Sequence, residues 1–109
     1  MEKFTLTRDG ERDLTFTGET IASASSSPES ARGDYSGSVG RWTELHLYRT
    51  KGGKYVCQSI GRTQWQGEHD RFKAAVCDDA AGVCEFFGAS RLAKELFDEA
   101  GIDCAERVD

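Results

Sequence analysis

The chain has 109 residues, 38% of them apolar, and 14 Lys and Arg stand against 19 Asp and Glu for a net charge of −5. That length suits a single domain over residues 1–109 and leaves no room for a second core; folding at this size hides roughly 65% of the open chain's surface, so no metal or disulfide staple is required. No apolar run approaches the ~20 residues of a membrane span, and Met1 to Thr5 do not open a secretory signal, so the expectation is a cytoplasmic protein without membrane attachment.

The acid excess is unevenly placed. Residues 1–67 carry 9 bases and 8 acids, whereas residues 68–109 carry 5 bases and 11 acids. Between Arg41 and Gly67 five bases oppose a single acid, Glu44. A basic centre and an acidic end each offer a pole for a charged partner.

Phe4-Thr5-Leu6-Thr7 and Leu14-Thr15-Phe16-Thr17 alternate apolar residues with Thr around Asp9-Gly10, which predicts a hairpin of two half-buried strands. Its apolar face is Phe4, Leu6, Leu14 and Phe16, continued by Ile21 after a bulge at Gly18. Residues 23–40, rich in Ser and Gly and holding the only Pro, read as a flexible loop. The tripeptide Arg32-Gly33-Asp34 within it matches a cell-adhesion motif, but three residues recur by chance and no export signal accompanies them.

Trp42 to Arg49 and Tyr55 to Ile60 flank Lys51-Gly52-Gly53-Lys54 and form a second hairpin. A two-residue turn there pairs positions whose numbers sum to an odd value. One face then carries Leu45, Leu47, Val56 and Ile60 as core, and the other presents Trp42, Glu44, His46, Tyr48, Tyr55 and Cys57 for recognition. Arg71 to Cys77 alternates again, with Phe72, Ala74 and Val76 on one face. Asp78 or Asp79 caps a helix over Ala80 to Phe87 that Gly88 ends; Ser90 caps a second over Arg91 to Ala100, with Leu92, Leu96 and Phe97 at helical spacing and Gly101 as its stop. Strands first and helices last predict an α+β fold: an antiparallel sheet of about five strands followed by two C-terminal helices packed on one face.

Four cysteines, at 57, 77, 84 and 104, form no C-x-x-C pair and read as free or structural thiols in a reducing compartment. His46 and Cys57 as cross-strand neighbours leave a thiol/His metal protein as an alternative, though no metal or other cofactor is expected. Neither His46 nor His69 accompanies a nucleophile motif, and no phosphate or dinucleotide fingerprint is present, so an enzyme is not expected. Arg41, Trp42, Tyr48, Arg49, Tyr55 and Trp65 mix rings with cations, the composition of protein-interface hot spots. Rings that stack bases among cations that meet phosphates make a single-stranded nucleic-acid module the alternative, disfavoured by the acidic helices. Asp98, Glu99 and Asp103 form a second candidate contact, an anionic surface suited to a basic groove. An aromatic sheet face is also compatible with a homodimer.

The stretch GRWTELHLYRTKGGKYVCQSIGRTQWQGE, with LAKELFDEAGI downstream, resembles small accessory proteins of bacterial plasmids and integrative elements over roughly residues 40–101. In size and acidity the chain is also similar to anti-CRISPR proteins as a class. The resemblance implies a mobile-element inhibitor whose partner is a host protein or complex, one that handles nucleic acid, and it transfers no functional residue.

Overall fold

The computed structural model describes residues 1–26, 41–63, 67 and 69–104. The side chain of Arg41, most of the expected loop at 23–40, and Trp65 lie outside the described residues. Five strands, β1 (Glu2–Leu6), β2 (Leu14–Ser25), β3 (Arg41–Thr50), β4 (Tyr55–Thr63) and β5 (Arg71–Cys77), precede α1 (Ala80–Phe87) and α2 (Arg91–Ala100). The strands form one antiparallel sheet in the order β1-β2-β3-β4-β5, and the helices pack on one face, α2 over β2 and β3 and α1 over β4 and β5. The architecture is α+β, as the strand-then-helix order predicts.

Both helices start where a side chain can accept otherwise unpaired N–H groups. Asp79 accepts from Gly82 N–H and Ser90 from Ala93 N–H. Gly101 closes α2 in the left-handed conformation, which lets its N–H bond back to Phe97 and Asp98 carbonyls. Glycine at position 82 has a packing reason: a Cβ there would lie 3.0 Å from the Cys77 Cβ and 3.3 Å from its Sγ. α1 can therefore settle directly onto the end of β5.

Three expectations need correction. The turn between β3 and β4 holds three residues, Lys51 to Gly53, closed by Thr50 N–H to Lys54 carbonyl at 2.8 Å, with Gly53 at φ 88°. Paired positions consequently sum to an even number, as in Leu47 opposite Cys57 and Arg49 opposite Tyr55. Side chains on β4 are thereby exchanged between faces: Leu45, Leu47, Tyr55 and Cys57 face the helices, while Trp42, Glu44, His46, Tyr48, Val56, Gln58 and Ile60 share the other face. Second, the bulge in β2 falls between Thr20 and Ala22, not at Gly18. It switches the strand's parity, so that Phe16 faces away from the helices and Ala22 faces them. Gly18 instead lies where β3 comes close: a Cβ would collide with the Arg49 carbonyl oxygen and stand 2.9 Å from the Thr50 Cα. Third, the strand claims the start of the expected loop, since Ser23, Ala24 and Ser25 pair with His46, Leu45 and Glu44.

The parity switch gives the sheet two cores. Under the helices, Ala22, Leu45, Leu47, Cys57, Val83, Ala93, Leu96 and Phe97 are buried together. On the opposite face Leu6, Tyr48, Val56 and Ala74 are buried against Phe4, Leu14 and Phe16. Among the described residues no helix covers this second face. The sheet curls over it until the β1–β2 connection reaches the far edge strand, where Asp9 N–H donates to the Phe72 carbonyl at 3.0 Å and Phe72 N–H donates to Asp9 Oδ2 at 2.9 Å. Those two bonds cap an edge that would otherwise present unpaired backbone groups.

Candidate functional site

The curled face is apolar at one end and polar at the other. Phe4, Phe16 and Tyr48 form a ring cluster with centroids 4.9 to 5.3 Å apart. The Tyr48 hydroxyl, only 7% exposed with its residue, donates to Gln58 Oε1 at 2.8 Å across the β3–β4 pair, and burial raises its pKa above that of free tyrosine. Toward the start of β3 the same face becomes an ion network. Glu44 accepts from Trp42 Nε1 at 3.0 Å and from Arg62 Nε at 3.1 Å, and Arg62 Nη1 donates to Asp70 at 3.0 Å. Thr63 N–H completes the Asp70 carboxylate at 3.0 Å, and His46 Nε2 lies 3.6 Å from Glu44.

The network holds its own charges in place. Burial acts to raise the Glu44 pKa, but hydrogen bonds from Trp42, Arg62 and His46 and the attraction of Arg62 outweigh it and hold the carboxyl below its ordinary range. Hydrogen bonds from Arg62 and from Thr63 N–H lower Asp70 in the same way, and the two carboxylates raise Arg62 further. A guanidinium shared by two carboxylates has little capacity left for a phosphate.

The expected ring-and-cation patch is therefore divided. Tyr48 is buried in the curled face, and Trp42, on the same face near the start of β3, is half-buried with its N–H taken by Glu44. Arg49 and Tyr55 belong to the opposite face, where the guanidinium lies 5.3 Å from the tyrosine ring centre. His46 and Cys57 also point to opposite faces, so the anticipated two-ligand pair does not form. Among the described residues no group of three His, Cys, Asp or Glu side chains is gathered as for a metal.

The cysteines depart from the free-thiol expectation in one pair. Cys84 in α1 and Cys104 beyond α2 are joined by a disulfide, while Cys57 and Cys77 remain thiols with their Sγ atoms 3.7 Å apart. Burial, reinforced by the neighbouring Cys77, pushes the Cys57 thiol far above its ordinary pKa and keeps it protonated.

Asp98, Glu99 and Asp103 are exposed, the first two on the outer side of α2 whose inner side buries Ala93, Leu96 and Phe97. Beside them the disulfide lines an open cleft of about 570 Å³ between the end of α1, α2 and residues 102–104. Asp98 and Asp103 both belong to its lining, together with Glu85 of α1. Sequence reasoning missed this cleft and the Glu44–Arg62–Asp70 network. The recurring polar positions Trp42, Glu44 and His46 along one face of β3 were a usable signal for the latter.

No family model, curated protein or solved structure matches the chain. Among the described residues, no helix is long and apolar enough to cross a membrane.

Proposed function

We propose that the chain is a non-enzymatic binding protein, a mobile-element inhibitor of the anti-CRISPR kind, acting by occupying a basic surface of a host complex that handles nucleic acid. The observation that carries this reading is the different employment of its two poles. The rings and cations of the centre are largely spent within the protein: Tyr48 in a core, Trp42 on Glu44, Arg62 between two carboxylates. The carboxylates of Asp98 and Glu99 face solvent on α2, whose helical geometry holds them at fixed spacing, and Asp103 is exposed just beyond it. Anionic groups so arranged complement a groove built for phosphates.

Arg49, Lys51 and Lys54 at the β3–β4 turn stay exposed and retain a basic corner, with Arg49 above Tyr55. That corner supports the single-stranded nucleic-acid alternative more weakly, because Trp42 and Tyr48, expected to extend it, lie on the other face.

Affinity capture from a bacterial lysate tests the leading reading. The wild-type chain retains one host complex that Asp98→Lys plus Glu99→Lys loses, whereas Arg49→Ala plus Tyr55→Ala still retains it. The reverse dependence, or salt-sensitive binding of a labelled oligonucleotide lost only in the second variant, overturns it in favour of the alternative.

A further inference from the structure

The cleft beside the disulfide has something the acidic surface alone lacks, an apolar floor. Phe97, 4% exposed, and the half-buried Ile102 line it, and the Cys84–Cys104 bridge lines it beside them. Glu85, Asp98 and Asp103 are the exposed acids of the lining, and Lys94 is its single base among the described residues. An apolar hollow bordered by three carboxylates and one ammonium complements a side chain or segment that is apolar in its middle and cationic at its ends, and repels a polyphosphate chain.

We propose that this cleft is a docking groove for a basic amphipathic segment of a partner protein, and that the groove is complete only while Cys84 and Cys104 are joined. The proposal rests on the reading of the acidic surface as the contact and names what that surface takes. An apolar side chain of the segment sits against Phe97 and Ile102, and its Arg or Lys residues meet the acids.

The dependence on the bridge follows from how the far wall is held. Residues 102–104 leave α2 after Gly101, anchored by Ile102 N–H to the Phe97 carbonyl at 2.9 Å and by the bond to α1. A dithiol that reduces the cystine takes up its oxidised form itself: two electrons and two protons pass to Cys84 and Cys104, giving two thiols and one reductant disulfide. Residue 104 is then no longer tied to α1, and the wall of the groove that carries Ile102 and Asp103 is loosened against it. Both cysteines are only half-buried, which leaves the bridge open to such exchange.

The experiment is a titration of the full-length, isotope-labelled chain with the synthetic peptide acetyl-KRLLKR-amide, followed by amide chemical shifts, with acetyl-EELLEE-amide as control. The expected result is a saturating set of shifts confined to residues 84–89, 94–98 and 102–104. Asp98→Lys plus Asp103→Lys weakens binding about tenfold or more. Dithiothreitol, or Cys84→Ser plus Cys104→Ser, weakens it comparably while the sheet resonances keep their positions, which separates loss of the groove from loss of the fold. Diffuse shifts that never saturate, equal binding of the glutamate peptide, or binding indifferent to reduction overturns the proposal. Capture of a partner through Asp98 and Glu99 without peptide binding overturns the groove alone. Peptide binding without any captured complex keeps the groove and overturns the inhibitor reading.

Discussion

The two faces of the sheet solve the same problem in different ways. One is closed by two helices and its interior is almost wholly apolar, from Leu47 and Cys57 on the strands to Val83 and Leu96 on the helices, each fully buried. The other has no helix over it among the described residues and closes on itself through the curl of the sheet, and its interior admits a tyrosine, a glutamine and, toward one end, five polar or charged side chains bound to one another. Where a ready-made amphipathic layer is available, apolar packing suffices. Where the sheet must cover itself, the chain relies on hydrogen bonds that fix register, because a face lined by Tyr48, Gln58 and Glu44 tolerates only the pairing that satisfies each of them.

Mutations should separate the two. Leu96→Ala removes a fully buried side chain beneath the helices and should cost about 3 to 4 kcal/mol in denaturant unfolding; a cost under about 1 kcal/mol would mean that α2 is not seated on the sheet. Replacing Cys84 and Cys104 by Ser releases a cross-link between positions 20 residues apart and should cost about 3 kcal/mol, with the loss unchanged whether or not the curled face is also mutated. On that second face Tyr48→Phe leaves Gln58 Oε1 without its donor and should cost about 1 to 2 kcal/mol. A neutral or stabilising effect would show that Gln58 finds another partner and that the face is less tightly specified.

Titration sharpens the contrast further, since each face carries its own ionisable groups. Glu44 and Asp70 have carboxyl pKa values below the ordinary 4.5 and 3.8, so the unfolded chain binds their protons more tightly than the folded one. Their contribution is whole above those ordinary values and drains as the pH falls through them toward the folded values. Thermal melting of Arg62→Met should show a shallower acid-side loss, and an unchanged slope would remove the network from the stability of the curled face. The helix face responds at the other end of the scale. Cys57 is raised, so the folded chain keeps a proton that the unfolded chain releases near pH 9, and stability is lost as the pH rises beyond that. Cys57→Ala should flatten this alkaline decline except for the smaller part due to Tyr48.

The sequence made the elements legible because their signals are local. Asp79, Ser90 and Gly101 mark helix ends within one turn, and Phe4, Leu6, Leu14 and Phe16 alternate within a single hairpin. Register was not legible. Gly52-Gly53 is compatible with a two- or a three-residue turn, and β4 offers apolar residues to both faces, Val56 and Ile60 to one and Tyr55 and Cys57 to the other, so the hydrophobic pattern could not decide. The site suffered most from this, because one residue of parity sends Tyr48 away from Tyr55. The disulfide was hidden for a different reason: four cysteines allow three fully paired connectivities, and only the return of residue 104 to α1 selects one. Closure by Asp9 on Phe72, 63 residues apart, has no local signature at all.

Which rings and cations of the central hairpin are spent and which stay exposed follows from the pairing of β3 with β4. Nuclear Overhauser contacts between α-protons across that pair measure it directly. The observed register gives a strong contact between Leu47 and Cys57, with the Tyr48 ring close to Phe4 and Phe16. A strong contact of Leu47 with Val56 or Gln58 instead, and a Tyr48 ring near Tyr55, would contradict it and restore the rings and cations of the central hairpin to a single face.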